Sequence, residues 1–239
     1  MVSKQPKNRS GRSTLRSQGQ RRGELFGLKS YVLMIAVVAL AVMVVSALAI
    51  LGPGGSSSSQ LPPAEVSLDK SIGVADAPVV VVEYADFQCP YCRQFAIGPE
   101  LQLRKEDVDT RKVRFVFRHM AFIGPESLWA AEATECANEQ NHFWDYHDQL
   151  FEEQAGENSG AFSRENLKRF AAELGLDTQQ FNPCLDSDKY QAKVQQEVAE
   201  AERLGVRSTP TLFVNGQLIK NGSDYQVLQT AIEAALKGE

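Results

Sequence analysis

A β-branched run, Val79-Val80-Val81-Val82-Glu83-Tyr84, is followed after four residues by Cys89-Pro90-Tyr91-Cys92. Consecutive valines fit a pleated strand that is covered on both faces. Pro90 suits the first position of a helix, where no N–H partner is needed and its fixed φ is already helical. A cysteine pair at a strand-to-helix junction therefore constrains the fold more than any other feature of this chain. Cys89 falls at a helix N-terminus, where unpaired N–H groups and the helix dipole favour a thiolate. Cys92, one turn further on, is placed to close a disulfide with Cys89 and is expected to be the more buried of the two.

Patterning extends this start into an α/β body. A helix is expected from Pro90 to about Asp107, kinked at Pro99 because proline removes a donor and crowds the turn before it. Val113–Phe117 reads as a second strand. Four or five helices follow with no strand among them, at about 125–138, 141–153, 164–175, 178–186 and 188–204. Phe143, Trp144, His147, Leu150 and Phe151 keep a helical period, as do Tyr190, Val194, Val198 and Ala201. Thr211–Val214 and Gln217–Lys220 read as strands joined by the turn Asn215-Gly216. Ser223, with Gln226 three residues on, is a capping box for a last helix.

Charge divides the chain unevenly. Residues 1–30 hold eight basic side chains and one acid, Glu24, whereas the whole chain carries a net charge of −5. The acidic remainder lacks the basic surplus that phosphate neutralisation needs, which argues against nucleic acid as a partner. Between the two parts, Val32 to Leu51 is a run of 20 residues, uncharged and apolar except for Ser46. Such a run spans roughly 30 Å as a helix, the thickness of a bilayer's hydrocarbon core. Basic residues precede it, so the tail is expected in the cytoplasm and the body outside. The domain plan is then a basic cytoplasmic tail over 1–30, a transmembrane signal-anchor over 31–51, a flexible linker over 52–64 and a body over 65–239. Ala47-Leu48-Ala49 resembles a cleavage site, but the length of the run and its long basic lead-in favour an uncleaved anchor. The Gly/Ser-rich linker would span roughly 20 Å and leave the body free to turn near the membrane.

Over residues 65–239 the chain resembles the thioredoxin superfamily, and within it the DsbA-like branch of exported disulfide oxidoreductases. The strand with Glu83, the motif CPYC, the helical block after the second strand and Ser208-Thr209-Pro210-Thr211 before the third carry the likeness. The resemblance implies a thioredoxin-like fold with a helical insertion at about 122–204, behind one N-terminal transmembrane helix. It implies that Pro210 is cis and faces the active-site sulfurs. From the residues alone, a proline at a strand's first position is simply tolerated. It further implies that Thr209 presents backbone groups to a bound substrate, beside Pro90 and Tyr91, and that Glu83 is a buried acid passing a proton to or from Cys92. The residues themselves leave open an edge position for Glu83, with its carboxylate in water. Phe87 and Gln88 fit the aromatic-rich lead-in of this branch. His119 reads as a solvated residue at a strand end, and His142 and His147 as structural.

Cys136 and Cys184 are not spaced as a redox motif. Two separate buried thiols, a zinc site using all four cysteines, and a structural disulfide are the alternatives. Export favours the disulfide, and some members of the branch it resembles carry such a second bridge. It would close a loop of roughly 49 residues, for an entropic stabilisation of about 4 kcal/mol.

The function implied is a membrane-anchored thiol–disulfide oxidoreductase that introduces disulfides into exported proteins through Cys89 and Cys92. A quinone-linked membrane oxidase would re-oxidise it. Tyr91 stands where the most oxidising relatives carry His, so the motif alone does not fix the potential. An extracytoplasmic reductase on the same fold is the alternative. A copper- or metal-delivery module is a third reading, with Cys89 and Cys92 as soft ligands and His119 and Met120 the nearest further donors. The lead reading calls for no metal and no cofactor, and a monomer is expected.

Overall fold

The computed structural model describes residues 69–238. The tail, the apolar run and the linker lie outside the described residues, and so do the expectations placed on them. Among the described residues no helix is long and apolar enough to cross a membrane.

A five-stranded mixed sheet forms the base. Its strands are β1 (Ser71–Ile72), β2 (Val79–Ala85), β3 (Val113–His119), β4 (Thr211–Val214) and β5 (Gln217–Ile219), in the order β1-β3-β2-β4-β5. β2 is central. It runs parallel to β3 from Val79↔Val113 to Ala85↔His119, and antiparallel to β4 from Val81↔Val214 to Tyr84↔Thr211. The valine run was legible as a strand because both of its faces are covered. Side chains alternate across the pleat. Val79 and Val81 pack with Phe95, Leu103, Leu228 and Ile232 on one face. Val82 and Tyr84 pack with Ala201, Val206 and Phe213 on the other. Glu83 shares the face of Val81, and Leu212 and Phe117 lie opposite it on the neighbouring strands.

The helices are α1 (Pro90–Ala96), α2 (Pro99–Leu103), α3 (Pro125–Asn138), α4 (Phe143–Glu153), α5 (Arg164–Glu173), α6 (Thr178–Asp186), α7 (Gln191–Arg203) and α8 (Tyr225–Lys237). α3 to α7 form the expected insertion between β3 and β4. Their apolar sides make a second core with Phe87, Phe143, Tyr146, Leu150, Phe162, Phe170 and Phe181.

Three local expectations are corrected. The single kinked helix over 90–107 is two helices and a turn. The Ile97 and Gly98 amides close α1 on the carbonyls of Arg93 and Phe95, and Pro99 then opens α2 as its first residue. Proline breaks rather than bends here because Gly98 takes the bond that Pro99 cannot donate. α2 runs on into a π-type turn over Arg104–Val108. At α8 the cap is Asp224, whose carboxylate accepts from the Gln226 amide at 2.9 Å, and not Ser223. The two-residue strand β1 carries no readable period and was missed. The hairpin turn Asn215-Gly216 has φ of 46° and 81°, the left-handed pair that a two-residue turn between twisted strands requires.

Candidate active site

Cys89 caps the N-terminus of α1 with extended backbone angles, φ −69° and ψ 121°. Its own amide bonds the Asp86 carbonyl at 3.0 Å, and its carbonyl accepts the Arg93 amide at 3.1 Å. The first-turn N–H groups are thereby left facing its sulfur. Pro90 and Tyr91 are exposed, Tyr91 at 66 %, whereas Cys92 is fully buried. Both cysteines are free thiols.

Environment drives the two thiols apart. The Cys89 thiolate receives the Cys92 S–H, which outweighs the cost of burial. The Thr209 side chain and the amides of Cys92 and Tyr91 add to this. Its pKa falls from 9.0 to about 6. Cys92 is pushed well above 9.0, first by burial, then by giving its S–H to Cys89, and then by the Glu83 carboxylate. When protonated, Cys89 donates to the Thr209 carbonyl at 3.3 Å. Thr209–Pro210, in the turn before β4, is a cis peptide.

Glu83 is fully buried, with both carboxyl oxygens unpartnered among the described residues. Burial raises its pKa well above 4.5, and Glu100 raises it further. The open edge position in water is therefore excluded. Cys136 on α3 and Cys184 on α6 are bonded to each other, with their Cα atoms 6.0 Å apart. The two-thiol and four-cysteine zinc alternatives fall with that bond.

Polar groups absent from the sequence reading hold the active turn. Asp86 accepts from the Gln88 amide and the Ser127 hydroxyl with Oδ1, and from the Phe122 and Ile123 amides with Oδ2. Gln154, at the end of α4, donates through Nε2 to the carbonyls of Phe87 and Cys89 at 2.6 and 3.1 Å. Nothing in its local pattern marked it. Glu100 and Arg104, also missed, carried one readable signal, their i,i+4 spacing.

His119 is not solvated. It is buried, and its Nε2 lies 3.1 Å from Glu135. Glu135 also pairs with the fully buried Lys70 at 2.9 Å and with Lys193 at 2.8 Å. Met120 packs with Val82, Tyr84 and Phe213 on the sheet face away from the cysteine cluster. The two extra donors that the metal-delivery reading needed are thus committed elsewhere. His142 sits exposed at the start of α4, 2.7 Å from Asp145, while His147 is buried. Glu100, His147 and Asp148 bring ligand atoms within 4.8 Å of one another, but the Arg104 guanidinium already pairs with both carboxylates.

A reactive thiolate at a helix N-cap, a buried partner thiol and a cis-proline turn on a mixed sheet define a redox-active dithiol protein. Residues 66–234 match the thioredoxin family. The chain belongs to that family, in the DsbA-like branch of thiol–disulfide oxidoreductases. It is 32 % identical to disulfide bond formation protein D of Bacillus subtilis, over 70 % of this chain and 77 % of that protein. The crystal structure of oxidised BdbD from Bacillus subtilis matches with a TM-score of 0.67 and 31 % identity, over 70 % of this chain and 92 % of that one. The chain is also 36 % identical to the Na(+)/H(+) antiporter NhaA 3 of Salinispora tropica, of which it spans only 28 %.

Proposed function

We propose that the chain is a membrane-anchored oxidoreductase that passes the Cys89–Cys92 disulfide to exported proteins, with residues 31–51 as its anchor. The observation that carries this reading is the setting of Cys89, at the N-cap of α1 with Cys92 buried one turn on, which draws its pKa down to about 6. A stabilised thiolate stabilises the reduced pair, and that makes the disulfide a stronger oxidant.

In the oxidised form, a substrate thiolate attacks the Cys89 sulfur. The Cys89–Cys92 bond breaks and its electron pair goes to Cys92, which takes a proton from Glu83. The second substrate thiolate then attacks the substrate sulfur of the mixed disulfide, and Cys89 leaves as a thiolate. The Thr209 backbone is the docking edge for the substrate strand, as in β-augmentation. Tyr91 at 66 % and Phe122 at 52 % exposure present apolar surface beside the turn. That surface suits an unfolded polypeptide better than a small thiol. A membrane oxidase linked to quinone would restore the disulfide, and the short tether would keep the body near it.

The test uses the full chain, oxidised, in detergent, mixed with reduced and unfolded ribonuclease A. Disulfides should form in the ribonuclease as Cys89 and Cys92 become thiols, mole for mole. Transfer only in the reverse direction, from reduced enzyme to substrate disulfides, supports the reductase alternative instead.

A further inference from the structure

Pro90 starts α1 without needing an N–H partner, but the peptide that joins it to Cys89 then has no N–H to be held by. The orientation of that peptide fixes ψ of Cys89, 121°, and with it where the sulfur lies against the first-turn amides. Only the carbonyl can be gripped, and two donors grip it. One is the Arg93 amide at 3.1 Å, the opening bond of α1. The other is Gln154 Nε2, also at 3.1 Å, from the residue that ends α4, 65 positions further along the chain. The same nitrogen donates to the Phe87 carbonyl at 2.6 Å. The peptide between Phe87 and Gln88 is therefore held on both sides, since its N–H bonds Asp86 Oδ1 at 2.8 Å. A side-chain amide carries two hydrogens on one nitrogen, and here there is a carbonyl for each.

We infer that Gln154 is a positioning residue for thiol–disulfide exchange: by holding the carbonyls of Phe87 and Cys89, it keeps the Cys89 sulfur under the first-turn amides of α1. It acts through the backbone rather than on the sulfur. This rests on Cys89 being the exchanging thiol, and on no assumption about which way electrons flow in the cell.

The surroundings hold Gln154 to this task. Three residues before it, the Phe151 carbonyl accepts Arg93 Nε at 2.9 Å. The bonds cross, so that α1 reaches α4 through Arg93 and α4 reaches the start of α1 through Gln154. Phe151 also packs its ring on Phe87, with centroids 5.0 Å apart. Beyond Gln154 the chain stays on the active turn, where the Asn158 amide donates to Gln88 Oε1 and Gln88 Nε2 donates to the Ser127 hydroxyl at 2.8 Å. Loss of the Gln154 donor has two consequences for Cys89. A carbonyl oxygen stripped of a donor repels the charge forming on the sulfur of the same residue. A freed Cys89–Pro90 peptide also turns more easily, which carries the sulfur away from the Tyr91 and Cys92 amides. Both destabilise the thiolate and raise a pKa that stands at about 6.

The experiment is alkylation of Cys89 by iodoacetamide in the reduced full chain in detergent, followed by mass across pH. It reads Cys89 whichever way the protein works in the cell, so failure here and failure of the oxidant reading are separable. Gln154→Met keeps the length of the side chain and removes its N–H donors. The midpoint of the rate profile should rise by about half a pH unit, within the reach of one neutral hydrogen bond. Labelling at pH 5 then falls about threefold, while at pH 9, where Cys89 is a thiolate in both proteins, the rates agree within about twofold. The equilibrium constant for reduction of the Cys89–Cys92 disulfide by glutathione at pH 7 should also fall about threefold. A Gln154 that merely supports the fold would lower Tm and leave the midpoint where it was, and that result overturns the inference. Should Gln154→Met fail to fold, Gln154→Asn carries the same test, because its amide is one methylene shorter and cannot hold both carbonyls. An upward shift of its midpoint supports the positioning role, and a wild-type midpoint overturns it.

Discussion

The Cys89 thiol donates a hydrogen bond to the Thr209 carbonyl, 3.3 Å away and 120 residues further along the chain. This contact joins the helix that activates the sulfur to the turn that would receive a substrate strand. A carbonyl is a good partner for the protonated thiol and a poor one for the thiolate. Ionisation therefore frees the Thr209 carbonyl for another donor, such as the amide of a docked polypeptide.

The first prediction concerns the split between the two thiols. In the reduced protein, thiolate absorbance should titrate with one step near pH 6, from Cys89. Cys92 should stay protonated until well above pH 9, because burial and the gift of its S–H to Cys89 both hold its proton. Iodoacetamide at pH 7 should label Cys89 at least tenfold faster than Cys92. Faster labelling of Cys92 in peptide mapping would reverse the assigned roles.

The Cys136–Cys184 bridge should act on stability alone. Changing both residues to Ala should cost up to about 4 kcal/mol, less whatever residual structure the unfolded chain keeps. On a body of this size that lowers Tm by roughly 10 °C. Cys89 alkylation should proceed at the wild-type rate. A changed Cys89 rate would mean that the bridge shapes the active turn.

Glu83 should oppose folding at neutral pH. The unfolded chain releases this proton near 4.5, while the folded protein keeps it to well above that value, chiefly because of burial. Between those two pH values the folded state binds more protons, so stability falls as pH rises through the window. Glu83→Gln removes this penalty. The variant should unfold at a higher temperature than wild type at pH 7 and at about the same temperature at pH 4. It should also exchange disulfides more slowly. Thermal melts at the two pH values decide it, and a variant less stable at pH 7 would show that the acid supports the fold.

How much of this was legible in sequence depended on whether the determining contact was local. The valine run, the CPYC helix start and the Asn215-Gly216 turn are set by neighbours a few residues apart, and each could be read directly. Cys89 and Cys92 were separable in advance because their positions on one helical turn set their exposure. Glu100, Arg104 and His147 were not, because their meaning depends on α2 and α4 meeting at Asp148, 44 residues from Arg104. His119 was misread for the same reason. Its strand ends there, but α3 and α7 close over it with Glu135 and Glu197. Gln154, inside the insertion, touches Cys89 only once the end of α4 has packed against the active turn. Ser223 was read as the cap, but it is the carboxylate of the next residue, Asp224, that reaches the Gln226 amide.

The central claim is that this dithiol is built to give its disulfide away, and its equilibrium constant with glutathione tests that most directly. The full chain in detergent would be equilibrated across glutathione buffers and the Cys89–Cys92 pair scored by mass after trapping. The surroundings of Cys89 pull its pKa down to about 6, and a stabilised thiolate makes the disulfide the stronger oxidant. The account predicts a potential at or above about −180 mV. A value near about −270 mV, where thioredoxin lies, would contradict it and make the protein a reductase.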